Sequence, residues 1–205
     1  FHVSTKVGFD PEGFDYKRDS VLESLERSCR RLGVGQLAVA QIHEVDKAGW
    51  QRILEKGGTL EGLRAAQERG LCRYIGITGR AIALLSELAA TGEFDVLLFY
   101  HDYHPCVQLA NEQVLPAAAA QDMGVVAATV LAGGLYVTGA AQERALERLG
   151  AEVERERAIL ARLAAEDGTL PQAAFRYVLA DKRVSTVSSG AANSEQLREV
   201  AQAAD

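Results

Sequence analysis

Strand-like and helix-like segments alternate along almost the whole chain of 205 residues. Short runs rich in β-branched residues are each followed by a segment whose apolar residues recur at helical spacing. Consecutive parallel strands need a crossover connection, usually a helix, so this alternation predicts a parallel sheet covered by helices. We predict strands at residues 2–6, 37–43, 73–77, 94–100, 124–129 and 184–188.

Two α/β folds satisfy such a pattern: an open doubly wound sheet and an eight-stranded (β/α)8 TIM barrel. Polar residues stand at the end of nearly every predicted strand, as barrel enzymes require, whereas an open sheet concentrates them at one switch point. We therefore predict the barrel. The polar residues are Lys6, His43, Thr78, residues 100–102, Thr129 and Ser188.

Six βα units are visible in the sequence, whereas a barrel has eight. The sequence begins inside a strand-like run at Phe1, and its only methionine is Met123. We expect the two further units to precede Phe1, so that the chain is the later part of a longer protein. The visible residues 1–205 are predicted to form a single, N-terminally incomplete barrel domain.

Residues 136–168 depart from the alternation, because they are rich in Ala, Glu and Arg and contain no strand pattern. Their apolar residues predict one or two amphipathic helices inserted after the fifth visible strand. A solvated helical flap is one interpretation, and a helix that closes over a bound cofactor is the other.

Several polar residues predict helix ends. Ser20 and Glu23 have the spacing of a capping box, and Gly33 suits the end of the same helix. Asn193 together with Gln196 can cap the last helix.

Composition excludes some classes of partner. The net charge is -6 with a pI near 5.3, so no basic surface is predicted for nucleic acid or an anionic membrane. No apolar run approaches the roughly 18 to 20 residues of a membrane-spanning helix. The cysteines Cys29, Cys72 and Cys106 are scattered, which fits neither a disulfide framework nor a zinc site and indicates a reduced, cytoplasmic setting.

Lys6 and His43 are the most reactive pair, because they end two successive strands. Neighbouring parallel strands lie about 4.8 Å apart, which would bring both side chains into one pocket. Lys6 could form a Schiff base, bind phosphate, lower the pKa of a neighbouring acid, or merely pair with a buried carboxylate. His43 could donate to a substrate oxygen, act as a general acid or base, or be structural. Glu44 is expected to line the same pocket.

The segment His101-Asp-Tyr-His104 raises the question of a metal site. Strand alternation would send His101 and Asp102 to opposite faces, and three ligands with an open position are not evident. We predict no metal. His101 is expected to line the substrate pocket beside Tyr100, and simple packing of Tyr103 is the structural alternative.

Four segments together resemble the aldo-keto reductases, most closely their sugar-dehydrogenase-like branch. The similarity runs from that family's third barrel strand to its last helix, so it implies the same barrel and places the two missing units first. The segments are Val3-Ser-Thr-Lys-Val-Gly8, residues 15–33, Gln41-Ile-His43 and Arg73-Tyr-Ile-Gly-Ile-Thr-Gly79.

The resemblance implies hydride transfer between a nicotinamide cofactor and a small carbonyl or hydroxyl compound. In that family a tyrosine acts as the acid or base, a lysine and an aspartate adjust the pKa of that tyrosine, and a histidine orients the substrate. Lys6 matches the lysine and His43 the histidine. Tyr16 and Asp15 follow the lysine and do not match the tyrosine and aspartate, so we expect those two upstream of Phe1 and the present chain to be inactive alone.

The cofactor side of the resemblance is partial. Thr78 and Gly79 stand where the family usually has Ser-Asn to hold the carboxamide, Tyr100 where glutamine is usual, and Ala128 where an aromatic ring commonly stacks. Backbone amides at the start of the last helix could cradle phosphate. The full set of expected cofactor contacts is Thr78, Gly79, Tyr100, Thr129, Leu131, Ser188, Gly190, Asn193 and Gln196.

The residues where the family binds the 2′-phosphate fall at Gly190 and Gln196, and neither is charged. NAD is therefore favoured over NADP, although Arg198 could compensate. Two other functions compete with a sugar oxidoreductase. One is a catalytically inactive barrel that serves as a nucleotide-binding or regulatory subunit, suggested by the departures at Gly79, Tyr100 and Ala128. The other is an aldolase-like enzyme that uses Lys6 as a Schiff-base amine.

Overall fold

A computed structural model describes residues 2–10, 13–150 and 153–204. Six strands form one sheet in the order β1-β4-β5-β6-β7-β8, and a separate antiparallel hairpin pairs β2 with β3. The six strands therefore lie side by side in the order in which they occur along the chain, as in successive units of a (β/α)8 barrel. The strands are β1 Ser4–Val7, β2 Phe9–Asp10, β3 Gly13–Phe14, β4 Leu37–Ile42, β5 Cys72–Gly79, β6 Val96–Tyr100, β7 Gly124–Ala128 and β8 Thr186–Ser188.

Helices follow the sheet strands, as the alternation predicted. The pairings of β1 with β4, β4 with β5, β5 with β6 and β7 with β8 are all parallel. The predicted TIM-barrel fold class is therefore confirmed. The helices are α1 Arg18–Leu32, α2 Val45–Leu54, α3 Thr59–Glu68, α4 Ile82–Ala90, α5 Leu109–Glu112, α6 Val114–Ala120, α7 Ala140–Leu149, α8 Val153–Leu163, α9 Leu170–Leu179 and α10 Ser194–Ala201.

The chain divides into two compact units. The first unit comprises Phe1–Phe99 and Gln113–Val125, and the second comprises Tyr100–Glu112 and Val126–Asp205. In the part of the chain that is described, no helix is long and apolar enough to cross a membrane.

The first unit is built around apolar strand and helix faces. Helix α1 buries Val21, Leu22 and Leu25 and ends at Gly33, whose φ of 66° is the left-handed conformation that glycine adopts without a Cβ penalty. The largest fully buried side chains here come from α1 and the strands as well as from α2, α3 and α4. They are Leu25, Leu37, Ile42, Ile53, Leu63, Ile75, Ile77, Leu85, Leu88 and Leu97.

In the first unit, the parallel pairing of four strands places one residue of each strand side by side in a row. Lys6 lies opposite Gln41, Gln41 opposite Gly76, and Gly76 opposite Val96. A Cβ on Gly76 would lie 2.5 Å from the Val96 carbonyl oxygen and 3.2 Å from Gln41 Cγ. Glycine at this position therefore leaves room mainly for the Val96 backbone of β6 and also for the Gln41 side chain.

The second unit contains the helices after the fifth sheet strand. Two helices, α7 and α8, occupy the inserted stretch that was predicted to hold one or two, while residues 151 and 152 lie outside the described part. Helix α9 begins with a complete capping box between Thr169 and Gln172, which was not predicted from the sequence. The predicted cap of α10 is confirmed, because Asn193 Oδ1 accepts the Gln196 N–H at 2.9 Å.

The capping box predicted at Ser20 and Glu23 is wrong. Helix α1 begins at Arg18, and the Ser20 hydroxyl donates to Asp15 Oδ2 at 2.7 Å instead of capping the helix. The other Asp15 oxygen accepts the Lys17 N–H at 3.0 Å. An aspartate three residues before the helix competes for the serine, because short polar side chains bond readily to nearby groups.

Helix α2 and the β2–β3 hairpin were not predicted from the sequence. Helix α2 precedes α3 in the connection between β4 and β5, and its irregular residue is Gly49, with a φ of 74°. The β2–β3 hairpin follows β1 directly and brings Phe9 opposite Phe14. Strand ends differ from prediction by up to two residues, as at β5, which spans Cys72–Gly79.

Candidate active site

The first unit brings Lys6 and His43 together at the ends of two paired strands. The His43 N–H donates to the Val7 carbonyl oxygen at 2.9 Å, which continues the β1–β4 ladder by one residue. Both side chains line one cleft of about 390 Å³. The remaining lining residues of this cleft are Ser4, Thr5, Phe9 and Gln41. An exposed ammonium and an imidazole therefore face the same space, as expected from their strand positions.

His43 is held as a neutral imidazole. Burial lowers its pKa, and the Lys6 ammonium lowers it further, against the opposing effect of the Glu44 and Asp46 carboxylates. A neutral imidazole offers one N–H donor and one acceptor. It can therefore bind a carbonyl or hydroxyl oxygen without carrying charge into the cleft.

Tyr16 supports the backbone at His43. Its hydroxyl donates to the carbonyl oxygens of His43 at 2.8 Å and Glu44 at 3.1 Å, and the side chain is buried. Burial is the main cause that raises the pKa of this phenol. A Cβ on Gly8 would lie 2.4 Å from the Tyr16 ring, so glycine allows this close approach. These contacts hold the Tyr16 hydroxyl on backbone carbonyl oxygens next to the cleft.

The β2–β3 hairpin supplies aromatic surface beside His43 that sequence reasoning missed. The Phe9 ring meets the His43 ring edge-on at 5.8 Å, and the Phe14 ring lies 6.3 Å from it. Phe9 is 53% exposed although it is a large apolar residue in the cleft lining. The signal was present in the sequence, because Asp10 to Gly13 contains Pro and Gly between two phenylalanines, a composition typical of a tight turn.

At the end of β5, Thr78 and Gly79 pack against the start of α2. The buried Thr78 hydroxyl accepts the Glu44 N–H at 3.3 Å. Glu44 has a φ of 49°, and its carboxylate lies 3.8 Å from the Arg80 guanidinium. Glu44 does not line the cleft of Lys6 and His43.

The second unit places Tyr100, His101 and Thr129 at a different cavity, of about 450 Å³. His101 has a φ of 70° and Thr129 a φ of 60°, and such left-handed conformations are uncommon outside glycine and concentrate at functional sites. The His101 N–H donates to the Ala128 carbonyl oxygen at 3.1 Å. Leu131 is half-buried next to the 3-10 turn Ala132–Gly134 but does not line this cavity.

The segment after β8 is exposed. Ser188, Gly190, Asn193 and Gln196 all lie at the surface. Asn193 and Gln196 also line a cleft of about 570 Å³ together with Arg198. The Gln196 side chain accepts the Ala192 N–H at 2.8 Å, so the cap of α10 uses both side chains.

Within the described residues, no group of three or more His, Cys, Asp or Glu side chains is placed to hold a metal ion. The His101 and His104 rings stack at 5.2 Å. Tyr103 is buried, and its hydroxyl donates to Asp181 Oδ2 at 3.0 Å.

The fold and the site at its strand ends define a barrel protein with a lysine and a histidine on neighbouring strands. A model of the Aldo/keto reductase family matches residues 1–205, and the chain belongs to this family. The family that its motifs resembled is thus confirmed.

Known relatives align with nearly all of this chain. L-galactose dehydrogenase of Arabidopsis thaliana is 26% identical over 201 residues, which are 96% of this chain and 61% of that protein. L-glyceraldehyde 3-phosphate reductase of Escherichia coli K12 is 28% identical over 228 residues, covering 98% of this chain and 64% of that protein. D-threo-aldose 1-dehydrogenase of a Pseudomonas species is 25% identical and is covered over 61% of its length. The chain therefore spans less than two thirds of these relatives.

Among solved structures, aldo-keto reductase AKR11C1 from Bacillus halodurans in its holo form superposes with a TM-score of 0.80. The alignment covers 100% of this chain and 66% of that one at 20% identity. The likeness supports the fold independently of the sequence motifs.

Proposed function

We propose that the protein carrying these residues transfers hydride between a nicotinamide cofactor and a small carbonyl or hydroxyl compound. The observation that carries the proposal is the shared cleft of Lys6 and His43 at the ends of adjacent strands. An ammonium beside a phenol stabilises the phenolate and lowers the phenol pKa from about 10 toward the working range. We therefore assign to Lys6 the role of lowering the pKa of a catalytic tyrosine.

His43 is assigned the orientation of the substrate oxygen. Its neutral imidazole can donate one hydrogen bond, and the Tyr16 hydroxyl fixes the backbone at His43. Phe9 would exclude water from one side of the cleft, which strengthens hydrogen bonds inside it. The nicotinamide cofactor would supply or accept the hydride.

We propose a sugar or a similar hydroxylated aldehyde as substrate. Three of the relatives are named for an aldose, a sugar or a sugar phosphate. The cleft also offers polar groups that fit hydroxyls, since Ser4 and Gln41 line it beside Lys6. These groups complement a small polar molecule better than an extended apolar one.

The cofactor contacts proposed from the family resemblance are Thr78, Gly79, Tyr100, Thr129, Leu131, Ser188, Gly190, Asn193 and Gln196. We favour NAD over NADP, because Gly190 carries no side chain and Gln196 is uncharged and engaged in the helix cap. A 2′-phosphate would depend on Arg198. The three cysteines are buried and free, which fits a reducing compartment, and we propose the cytoplasm.

The test is a steady-state assay of reduced-nicotinamide oxidation with small aldehydes and aldoses. In a protein that joins these residues to the family's first two units, His43→Gln should lower kcat/KM by about 10-fold to 100-fold, the loss expected when a positioned donor is weakened. His2→Gln, at an exposed histidine, is the matched control. Equal activity of H43Q and H2Q would contradict the role of His43.

The same assay separates the competing functions. The 205 residues alone are proposed to be inactive, because no tyrosine in them matches the family's proton donor. Clear turnover by the isolated chain would refute that part. Cofactor binding without turnover in the joined protein would instead favour the regulatory subunit.

A further inference from the structure

Gln41 is a buried polar side chain in the cleft that Lys6 and His43 line. It is only 4% exposed, although glutamine is mostly found at protein surfaces. Burying an amide is costly unless its polar atoms are hydrogen-bonded. The position of Gln41 therefore calls for an explanation from the groups around it.

Strand pairing places Gln41 directly beside Lys6. The two residues are partners in the parallel pairing of β1 with β4, and neighbouring strands lie about 4.8 Å apart. Ser4 precedes Lys6 by two residues, so both side chains are on the same face of β1, with their Cα atoms about 6.6 Å apart. The Ser4 hydroxyl donates to Gln41 Oε1 at 3.4 Å. The Gln41 amide therefore leans from β4 toward the face of β1 that carries Ser4 and Lys6.

The strand on the other side of Gln41 holds this side chain in place. Gly76 of β5 is the pairing partner of Gln41 there. A Cβ on Gly76 would lie 3.2 Å from Gln41 Cγ, so the backbone of β5 already packs closely against the glutamine stem. Contacts from Ser4 at one end and from Gly76 at the other thus restrict the amide to one position.

The chemistry of an amide suits it to an ammonium whose charge must act elsewhere. An amide oxygen has two lone pairs, of which the Ser4 hydroxyl uses one, and the Lys6 ammonium offers three N–H donors for the other. The amide is neutral, so it can hold the ammonium without offsetting its charge, as a carboxylate would. That charge acts within the cleft, because Lys6 lowers the pKa of His43, second to the effect of burial. Gln41 Nε2 keeps its own N–H donors for a hydroxyl.

We propose that Gln41 is a positioning residue, whose neutral amide oxygen holds the Lys6 ammonium at the strand ends without offsetting its charge. The inference rests on the proposed function in one respect, since the ammonium acts there on a catalytic phenol. The titratable side chains that line the cleft are Lys6 and His43, and the imidazole of His43 is neutral. The charge that the amide holds in place is therefore that of Lys6.

The first experiment measures the pH dependence of kcat in the joined protein for Gln41→Glu. The added carboxylate should offset the ammonium, so the profile should move up by about one pH unit. A phenol of higher pKa is a weaker acid, so kcat near pH 7 should fall by about 10-fold, while KM stays within about two-fold. Gln51→Glu adds the same charge at an exposed position of α2 and should keep the wild-type profile. Equal profiles of Q41E and Q51E would overturn the proposal.

Gln41→Leu keeps the test decisive if the charge of Q41E prevents folding, which circular dichroism would reveal. Loss of the amide should lower kcat by about 3-fold to 10-fold with KM nearly unchanged, the size expected for one hydrogen bond. Ser4→Ala should lower kcat in the same direction, and Ser4→Thr, which keeps a hydroxyl, should restore it. A raised KM for glyceraldehyde but not for propanal, with an unchanged kcat, would instead place Gln41 on a substrate hydroxyl and overturn the positioning role.

Urea unfolding of the same protein separates this inference from the proposed function. In a double-mutant cycle, Lys6→Met and Gln41→Leu should be non-additive by about 5-fold or more in the unfolding equilibrium constant, because each removes the same hydrogen bond. Lys6→Met and Gln51→Leu should be additive within about two-fold. Non-additivity without any hydride transfer would leave the Gln41 contact and remove the proposed function. Hydride transfer with additive effects of K6M and Q41L would overturn the contact alone.

Discussion

The Asp46 carboxylate occupies the space that a side chain at Gly79 would need. A Cβ built on Gly79 would lie 2.8 Å from Asp46 Oδ1 and 2.9 Å from Val45 Cγ2. Asp46 Oδ1 also accepts the Arg80 N–H at 3.1 Å, which fixes the start of α2 against the end of β5. The departure from the family's usual Ser-Asn at this position therefore has a packing reason in this chain.

Gly79→Ala should destabilise the protein by about 1–3 kcal/mol, the usual cost of overpacking a filled site. Urea unfolding measures the change, with Gly35→Ala as control because a Cβ there meets nothing within 4 Å. In a double-mutant cycle with Asp46→Ala, the cost of G79A should shrink. Additive effects would show that the two positions do not compete for space.

Tyr16→Phe should lower the free energy of unfolding by about 1 kcal/mol, because it removes the hydrogen bond to the carbonyl oxygens of His43 and Glu44. The reduction rate in the joined protein should remain within a few-fold of wild type, since Tyr16 only positions the backbone. Stopped catalysis in Y16F with an unchanged KM and intact fold would instead make Tyr16 the proton donor.

Asp181 should stabilise the folded protein at neutral pH, and this stabilisation should be lost in acid. Hydrogen bonds from Arg183, the largest cause, lower the pKa of Asp181 from 3.8 to about 2. The folded state thus binds this proton less tightly than the unfolded chain, so the stabilisation is full above pH 3.8 and is lost as the pH falls toward about 2. Lowering the pKa by this amount corresponds to about 2.5 kcal/mol, at about 1.4 kcal/mol for each pKa unit.

Urea unfolding between pH 5 and pH 2 checks this prediction. The pH dependence should be shallower in Asp181→Asn than in wild type, and Asp19→Asn, whose side chain is 81% exposed, should follow wild type. Parallel curves for wild type and D181N would show that Asp181 contributes nothing to acid sensitivity.

Phe9→Ala should reduce kcat/KM for a small carbonyl substrate by about 10-fold, the size expected for one lost apolar contact in a substrate pocket. The edge contact of Phe9 with His43 and its place in the cleft lining give the reason. Leu32→Ala, at an exposed leucine in α1, is the control and should leave kcat/KM unchanged. An unchanged value in F9A would exclude the hairpin from the substrate site.

Single residues in the sequence correctly predicted helix ends, because a helix end depends on the residues next to it. Gly33 ends α1 and Asn193 caps α10, because these residues act on the backbone next to them. The alternation of strands and helices predicted the parallel sheet for a similar reason, since a parallel connection needs a crossover. Lys6 and His43 could be predicted to lie close together because the C-terminal ends of adjacent parallel strands lie at the same edge of the sheet.

Features that depend on distant partners were not predictable. Glu156 sits in a run of alternating Glu and Arg that is typical of a solvated helix face, yet it is buried beside the cavity. His104 was read as part of a possible metal motif, whereas Tyr136, distant in sequence, fixes its ring. Ser20 was assigned to a cap, but Asp15 competes for its hydroxyl.

The pH dependence of reduced-nicotinamide oxidation in the joined protein, measured for Lys6→Met, tests the central claim most directly. Without the ammonium the catalytic phenol should titrate at higher pH, and kcat near pH 7 should fall by about 100-fold or more. Lys47→Met, at an exposed lysine in α2, should keep the wild-type profile. A K6M profile and rate equal to those of K47M would contradict the assignment of Lys6 and, with it, the proposed redox site.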